Sequence, residues 1–408
     1  MNLHCNWKPS IVALPLAVGL AVACGEGEPP MPTVTIDPGQ ITTLQADAAL
    51  QQVQDVAVDE SGQFWVLQRD QSPHVFLYSA GGQLLDLFGE HGPARIQLSM
   101  PFWLVNTREE GQAMAVWDVG NHKLMFYGPN GRLEQAHQVD RSSRDVYRDI
   151  DVESYGRPLD LQRFGDGFLL LDHVEGLSRT IDYLRSQLIV LNRFGQKIDT
   201  LVDFKREYSE GIESLELAEL LVPIPLWTTC ESGALVLFDP FASRLHWYGP
   251  DGIEQSSDSV LLRSGELAQD DIDGYLFHTF EQRWNKQTTR ELDTAVIERS
   301  IELFMLNRFL ELSPQTPYAT GIMCGADQQV WLQEFVVEDN PLGYANSWII
   351  HEPQQTEHLR VEFPASFRPL RIVGGRVLGV STDARGIQTG AWVPVPDLST
   401  ATLPASAH

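Results

Sequence analysis

Positive charge is scarce in this 408-residue chain. Lys and Arg number 29 against 55 Asp and Glu, which leaves a formal net charge of −26. A surface of that sign repels phosphate backbones, which excludes nucleic acid as the partner, and it avoids anionic lipid headgroups. Long hydrophobic runs are missing too. Beyond the N-terminus nothing approaches the ~18 uninterrupted apolar residues of a membrane-spanning helix. Cysteine is nearly absent, with only Cys5, Cys24, Cys230 and Cys324. Several sequence marks of chemistry are also missing. The chain has no Gly-x-Ser-x-Gly, no His-Glu-x-x-His, no glycine-rich phosphate loop and no Cys-x-x-Cys, so no familiar nucleophile, zinc, nucleotide or redox motif points to a reaction.

What is present begins with an N-terminal address. Lys8 precedes an apolar run from Ile11 to Ala23 (IVALPLAVGLAVA), and Cys24 follows. The run is too short to span a bilayer and suits a signal peptide, residues 1–23. The stretch Ala21-Val-Ala-Cys24 resembles a bacterial lipobox, which implies lipidation of Cys24 as the first mature residue. An ordinary secretory cleavage after Ala-x-Ala is the alternative. Residues 24–32, rich in Gly and Pro, read as a tether between anchor and domain. The expected location is the bacterial cell envelope, at the outer membrane or facing the periplasm, with the membrane reached through the lipid alone. Cys5 leaves with the signal. Cys230 and Cys324 then sit in similar places just after the first strand of two successive repeats. Two buried thiols are the preferred reading, and a disulfide between neighbouring blades is the alternative.

The body of the chain repeats itself. Asp55–Leu67, Val75–Tyr78 and Gly81–Phe88 form one copy. Ala113–Asp118 with Lys123–Leu133, Gly167–Asp172 with Gln187–Ile198, and Ala234–Asp239 with Arg244–Ile253 form three more. Each copy is a set of short apolar strands joined by glycine-containing turns, at a spacing of about 40–50 residues, which is the pattern of a β-propeller blade. Two weaker copies follow from Tyr318 and from Pro369. The last lacks a fourth strand, while Thr33–Asp37, together with Ile41–Leu44, is left over at the start. An N-terminal strand that completes blade six closes the ring and hides a sheet edge. The expectation is an all-β, six-bladed β-propeller over residues 33–398, with a C-terminal tail at 399–408.

The stretch from Asp118 through Asn121-His-Lys-Leu-Met-Phe-Tyr127, and the stretch Val56–Val66, resemble NHL repeats. Over residues 33 to 396 the chain is similar to the six-bladed, TolB-like propellers, above all to exported bacterial NHL-like lipoproteins. That resemblance implies a fold and a location, and it carries no catalytic residue. The recurrent acids Asp118, Asp172 and Asp239 read as acceptors for turn N–H groups.

Four insertions break the period at 177–186, 205–225, 261–317 and 335–346. Each follows a second or fourth strand, so blade topology sends all four to one mouth of the central channel, over blades three to five. Long loops on a rigid scaffold are where binding usually resides. Apolar residues at helical spacing in 270–284 and 289–312 predict a helical hairpin within 261–317. The expected function is binding of a protein, peptide or small-molecule ligand at this mouth, without catalysis. Tyr183, Tyr275, Trp284 and Tyr344 are the first candidates, because large amphipathic side chains dominate binding energies. Arg179, Arg185 and Arg283 are the second, as scarce cations on an acidic protein. No cofactor is implied by the repeat. The alternative is a calcium-dependent hydrolase or lyase of the six-bladed class, with a channel ion held by acids such as Asp55, Asp160 and Glu334 and by Asn106. Of the histidines, His173 and His278 lie nearest the expected mouth. Trp103, Trp227, Tyr318 and Phe367 fall at inner strands, where packing between blades is the expected role.

Overall fold

A computed structural model of the chain describes residues 31–45, 50, 52–68, 72–90, 92, 97–99, 101–107, 111–139, 161–173, 186–204, 225–240, 242–260, 299, 319–325, 328–335, 344–353 and 358–401. The described residues form six antiparallel sheets of four strands, one of them extended by a fifth. In blades one to five the strands follow the chain outward from the axis. Blade one is Val53–Val58, Phe64–Gln68, Val75–Tyr78 and Leu84–Phe88. Blade two runs from Pro101–Asn106 to Leu133–Gln138, blade three from Leu161–Phe164 to Lys197–Asp203, and blade four from Leu226–Thr229 to Glu254–Ser259. Blade five runs from Ala319–Cys324 to Leu359–Glu362, and blade six holds Phe367–Val373, Arg376–Thr382 and Gln388–Pro394. The six first strands touch one another in a closed cycle, blade six returning to blade one. The protein is therefore a six-bladed β-propeller.

The strand sequences follow from their depth in the ring. A second strand has a neighbouring blade against each face, so both of its side-chain rows must be apolar. Phe64–Gln68 (FWVLQ) and Met114–Asp118 (MAVWD) are buried throughout. Trp65, Trp117, Phe238 and Trp331, one on the second strand of four different blades, are among the largest fully buried side chains. Truncating one such ring to Ala costs about 3–5 kcal/mol. Fourth strands lie at the rim and turn polar, as in Leu133–Gln138 (LEQAHQ) and Glu254–Ser259 (EQSSDS).

The turns between third and fourth strands are near copies of one another. Gly131 N–H bonds Gly128 O at 2.9 Å and Gly195 N–H bonds Asn192 O at 2.9 Å. These two glycines have φ of 73° and 76°, a left-handed conformation that a side chain would strain. Two of the repeated acids, Asp118 and Asp239, bind turns as expected. Asp118 accepts from Ser99 N–H at 3.0 Å and from Asn121 Nδ2 at 2.7 Å, and Asp239 accepts from Ala242 N–H at 3.1 Å.

Two expectations change. Thr33–Thr35 does not complete blade six. It pairs in parallel with Leu359–Glu362 as a fifth strand of blade five. The outer strand of blade six is instead Thr42–Thr43, antiparallel to Gln388–Pro394. The cause is the placing of apolar side chains. Ile36 is buried and Val34 packs with it in the cluster of Val361, Phe363 and Phe367, while Leu44 is buried against blade one. Between them, Asp37 caps a 3₁₀ turn at Pro38–Gln40 that redirects the chain. The second change concerns the cysteines. Cys230 and Cys324 form a disulfide between blades four and five rather than two thiols, with Cα atoms 4.9 Å apart. The two positions are offset by one, since Cys230 N–H bonds Ala234 O where Gly325 N–H bonds Gln329 O in blade five, and a one-residue offset turns side chains to opposite sheet faces, which lets them meet between the blades. The predicted helical hairpin lies in 261–317, outside the described residues apart from Arg299.

Candidate functional site

The antiparallel order of the strands gives the ring two different sides. Links from first to second and from third to fourth strands emerge on one, called the turn side. Links from second to third strands and from blade to blade emerge on the other, called the insertion side. On the turn side the links are uniformly short, such as 165–166 in blade three and 249–253 in blade four. On the insertion side the strands are joined by 174–185, 204–225, 260–318 and 336–343. The described topology thus sends every one of the predicted insertions to the same side.

The turn-side end of the channel is bridged at blades four to six. The disulfide joins the first turns of blades four and five. The Glu231 carboxylate, in the first turn of blade four, accepts from the Gly374 N–H in the first turn of blade six. Two blades that are not neighbours are thereby tied.

Along the channel, side chains of the first strands reach the backbone of the next blade. Asp55, fully buried on blade one, accepts from Leu104 N–H of blade two at 2.8 Å and from Val56 N–H at 2.8 Å. It also forms an ion pair with Arg371 of blade six, whose Nη1 donates to Leu104 O at 2.9 Å. Burial pushes the Asp55 carboxyl above the usual carboxylate range, and Arg371 and the two backbone donors oppose that shift. Asn106 Nδ2 donates to Val58 O at 2.9 Å, and Gln162 Oε1 accepts from Thr229 N–H at 2.6 Å. Arg368 donates to Val53 O at 2.9 Å. The channel wall is held by polar bridges between blades.

This geometry bears on the acids considered for a channel calcium. Asp55 is paired with Arg371. Glu334 holds Arg360 through two contacts, at 2.8 and 2.9 Å, and also accepts from the Ser347 hydroxyl. Asn106 gives its Nδ2 to Val58 O and keeps a buried Oδ1 with no hydrogen bond, and Asp160 lies outside the described residues. Among the described residues no group of three or more His, Cys, Asp or Glu is placed to hold a metal ion. The aromatics at the inner strands pack between blades: Trp227 is buried and Trp103 half-buried in one core cluster, and Phe367 is buried in another with Phe363 and Trp331.

Of the predicted binding residues, Tyr344 opens the third strand of blade five opposite Phe335. Tyr183, Tyr275, Trp284, Arg179, Arg185 and Arg283 lie outside the described residues, as do Cys24 and His278. His173 ends the second strand of blade three, beside an insertion.

One polar cluster was not anticipated. His351, at the end of the third strand of blade five, is 2% exposed and lies 3.5 Å from Asp258 of blade four. The His358 ring is 5.5 Å away and the Trp247 ring 6.0 Å. Burial lowers the proton affinity of His351, against the pull of Asp258. His358 is lowered by burial and then by the charge on His351. Both rings are thus held toward the neutral form at the seam of blades four and five. Neither histidine stands in a motif, and only the fold brings His351 to Asp258 and His358 to His351.

No family model matches the chain, and no curated protein does. Similar solved structures include a streptogramin B lyase, at 10% identity and TM-score 0.42, covering 88% of this chain and 87% of that one. A calcium-binding protein, regucalcin, from Agrobacterium tumefaciens aligns at 10% identity and TM-score 0.42, covering 89% and 95%. A Bacteroides fragilis protein described as exported aligns at 8% identity and TM-score 0.47, covering 88% and 94%. Likenesses this distant carry no activity over to this chain. No helix among the described residues is long and apolar enough to cross a membrane.

Proposed function

We propose that the mature protein is exported, is anchored in the bacterial envelope by a lipid on Cys24, and works as a binding module. Its ligand, a protein, a peptide or a small molecule, sits on the insertion side over blades three to five, and no reaction follows. The observation that carries this reading is the asymmetry of the links, short on one side and long on the other. Extra chain concentrated on one side of a rigid ring is a binding surface held by a scaffold. The side chains offered for contact are Tyr183, Tyr275, Trp284 and Tyr344, with Arg179, Arg185 and Arg283 beside them. Binding is favoured over a calcium-dependent hydrolase because Asp55 and Glu334 are already neutralised by Arg371 and Arg360.

The test is a scan of alanine substitutions at those seven positions, read against Asn130, Gln196 and Asp251 on the turn side. Loss of cellular function confined to the insertion side is the expected result. If the turn-side changes abolish function and the insertion-side changes are silent, the assignment is wrong. Stoichiometric calcium in protein purified without chelator would move the function to the hydrolase class. Mass spectrometry of the mature N-terminus reads the anchor: an acylated Cys24 is expected, and an intact Met1 in cells would remove export altogether.

A further inference from the structure

Five large apolar side chains are well exposed among the described residues: Leu85, Leu87, Phe194, Ile198 and Ile253. Single exposed apolar residues are common and need no explanation. Their placement here is not scattered. Phe194 and Ile253 lie in the third-to-fourth turns of blades three and four, and Ile198 is the second residue of the outer strand that leaves the blade-three turn. Leu85 and Leu87 lie on the equivalent strand of blade one. All five belong to turn-side links or to the outer strands that start there, and Ile198 and Ile253 are each more than 60% exposed, at 65% and 64%.

The chain enters the fold on that same side. Pro32 O accepts from Arg360 N–H at 2.9 Å, and Thr33 pairs with Arg360 at the start of the outer strand of blade five. That strand begins at a third-to-fourth link, so residue 32 emerges on the turn side, one blade from the apolar turn of blade four. Cys24 and the eight residues after it, 25–32, are all the chain that precedes Thr33 in the mature protein. At full extension they span about 30 Å. Pro29, Pro30 and Pro32 stiffen the last part of that span and oppose a return over the rim.

From the exit point, the tether length and the one-sided apolar residues we infer that the turn side docks on the bilayer that holds the Cys24 lipid, with Phe194, Ile198 and Ile253 in its interfacial layer. The insertion side then points away from the membrane. The Arg193 guanidinium, 4.7 Å above the Phe194 ring, stands at headgroup level while the ring enters the apolar layer. With a net charge of −26, the contact is hydrophobic and needs no anionic lipid. This inference rests on the lipid anchor proposed above and goes beyond it, because an anchor alone leaves the orientation free.

The experiment is amide hydrogen exchange of the anchored protein on phosphatidylcholine vesicles, compared with the unlipidated chain in solution. Acylation of Cys24 is read by mass in the same sample. If the native chain proves unacylated, the anchor reading fails by itself. The chain is then coupled to a maleimide lipid through Cys24, since Cys230 and Cys324 are joined to each other, and orientation is still measured. Severalfold slower exchange is expected at 192–198 and 249–253, with no change at 383–387, a second-to-third turn on the other side. A variant carrying Phe194→Ser, Ile198→Ser and Ile253→Ser stays attached and should lose the protection. Protection at 383–387 instead, protection at no turn, or protection that survives the triple substitution overturns the inference. So does protection that grows with protein concentration without vesicles and accompanies a dimer in sedimentation, which would assign the face to a second copy.

Discussion

Replacing Arg371 with Met should destabilise the ring more than any other single exchange of a channel cation. Arg371 reaches from blade six to the buried Asp55 of blade one and to Leu104 of blade two, so one side chain ties three blades. Removing it leaves Asp55 at 0% exposure with only the N–H groups of Val56 and Leu104. Breaking a buried pair by deleting one partner typically costs about 3–5 kcal/mol. Arg371 is itself 24% exposed, and partial solvation places the expected loss near the lower end, about 3 kcal/mol. The assay is chemical denaturation of wild type, Arg371→Met, Asp55→Asn and the double variant.

The sign of the pH dependence follows from Asp55. Burial already raises its carboxyl in the fold, and without Arg371 it rises further. A group whose folded value lies above its unfolded one, near 3.8, favours the fold below 3.8 and loses that contribution as pH climbs through the folded value. The deficit of Arg371→Met should therefore be largest at neutral pH and shrink toward pH 4. The double variant, with no charge left buried, should recover part of the loss. A single variant as stable as wild type, or a deficit that does not vary with pH and is not relieved by Asp55→Asn, would refute the reasoning.

Three further outcomes can be checked. Cys230→Ser with Cys324→Ser should lower stability by about 2–5 kcal/mol, because the bond closes a loop over 94 positions of sequence; reductant should act on wild type and not on the variant in matched denaturation curves. Substituting His351→Phe and His358→Phe should flatten the fall in stability between pH 7 and 5. Both rings bind protons less readily in the fold than the usual 6.5, so their contribution is present above 6.5 and lost as pH drops through their folded values. Deleting residues 25–44 should expose the Gln388–Pro394 edge and remove Ile36 and Leu44 from the core, read as a lower melting temperature and light scattering on concentration; a soluble, equally stable product would contradict the pairing described.

The blades were legible in the sequence because each second strand must be apolar on both faces. FWVLQ, MAVWD and LVLFD recur for that single reason. The order of the N-terminal strands was not. Thr33–Asp37 and Ile41–Leu44 both read as short strands, and alternation within a strand says nothing about its partner. The choice was made by Val34 and Ile36, which find an apolar seam at Val361 and Phe363. The disulfide left a partial trace, similar but offset positions in successive blades, and not the distance that decides it. Asp55 and Arg371 are separated by 316 positions, and neither stands in a motif that names the other. His351 meets Asp258 only across a blade seam, with the His358 ring beside it.

The same physics explains why the binding side resisted reading. A turn-side link is fixed by the hydrogen bonds of a tight turn and by a glycine at positive φ, as at Gly131 and Gly195, so its sequence is forced into the repeat. A link on the insertion side is not held to such a turn: blade six closes one at 383–387, with Gly386 N–H on Asp383 O at 2.9 Å, while other links run from the short 119–122 of blade two to the 260–318 that joins blades four and five without disturbing a strand. Periodicity therefore finds these segments as interruptions and yields no pairing or contact within them. Substitutions should divide along this line. Exchanges at Gly131 or Gly195 should act through stability, because the turn itself is strained. Exchanges at Tyr183 or Tyr344 should act on binding while denaturation curves stay near wild type. A tyrosine variant that lost both together would place that side chain in the core rather than on the surface.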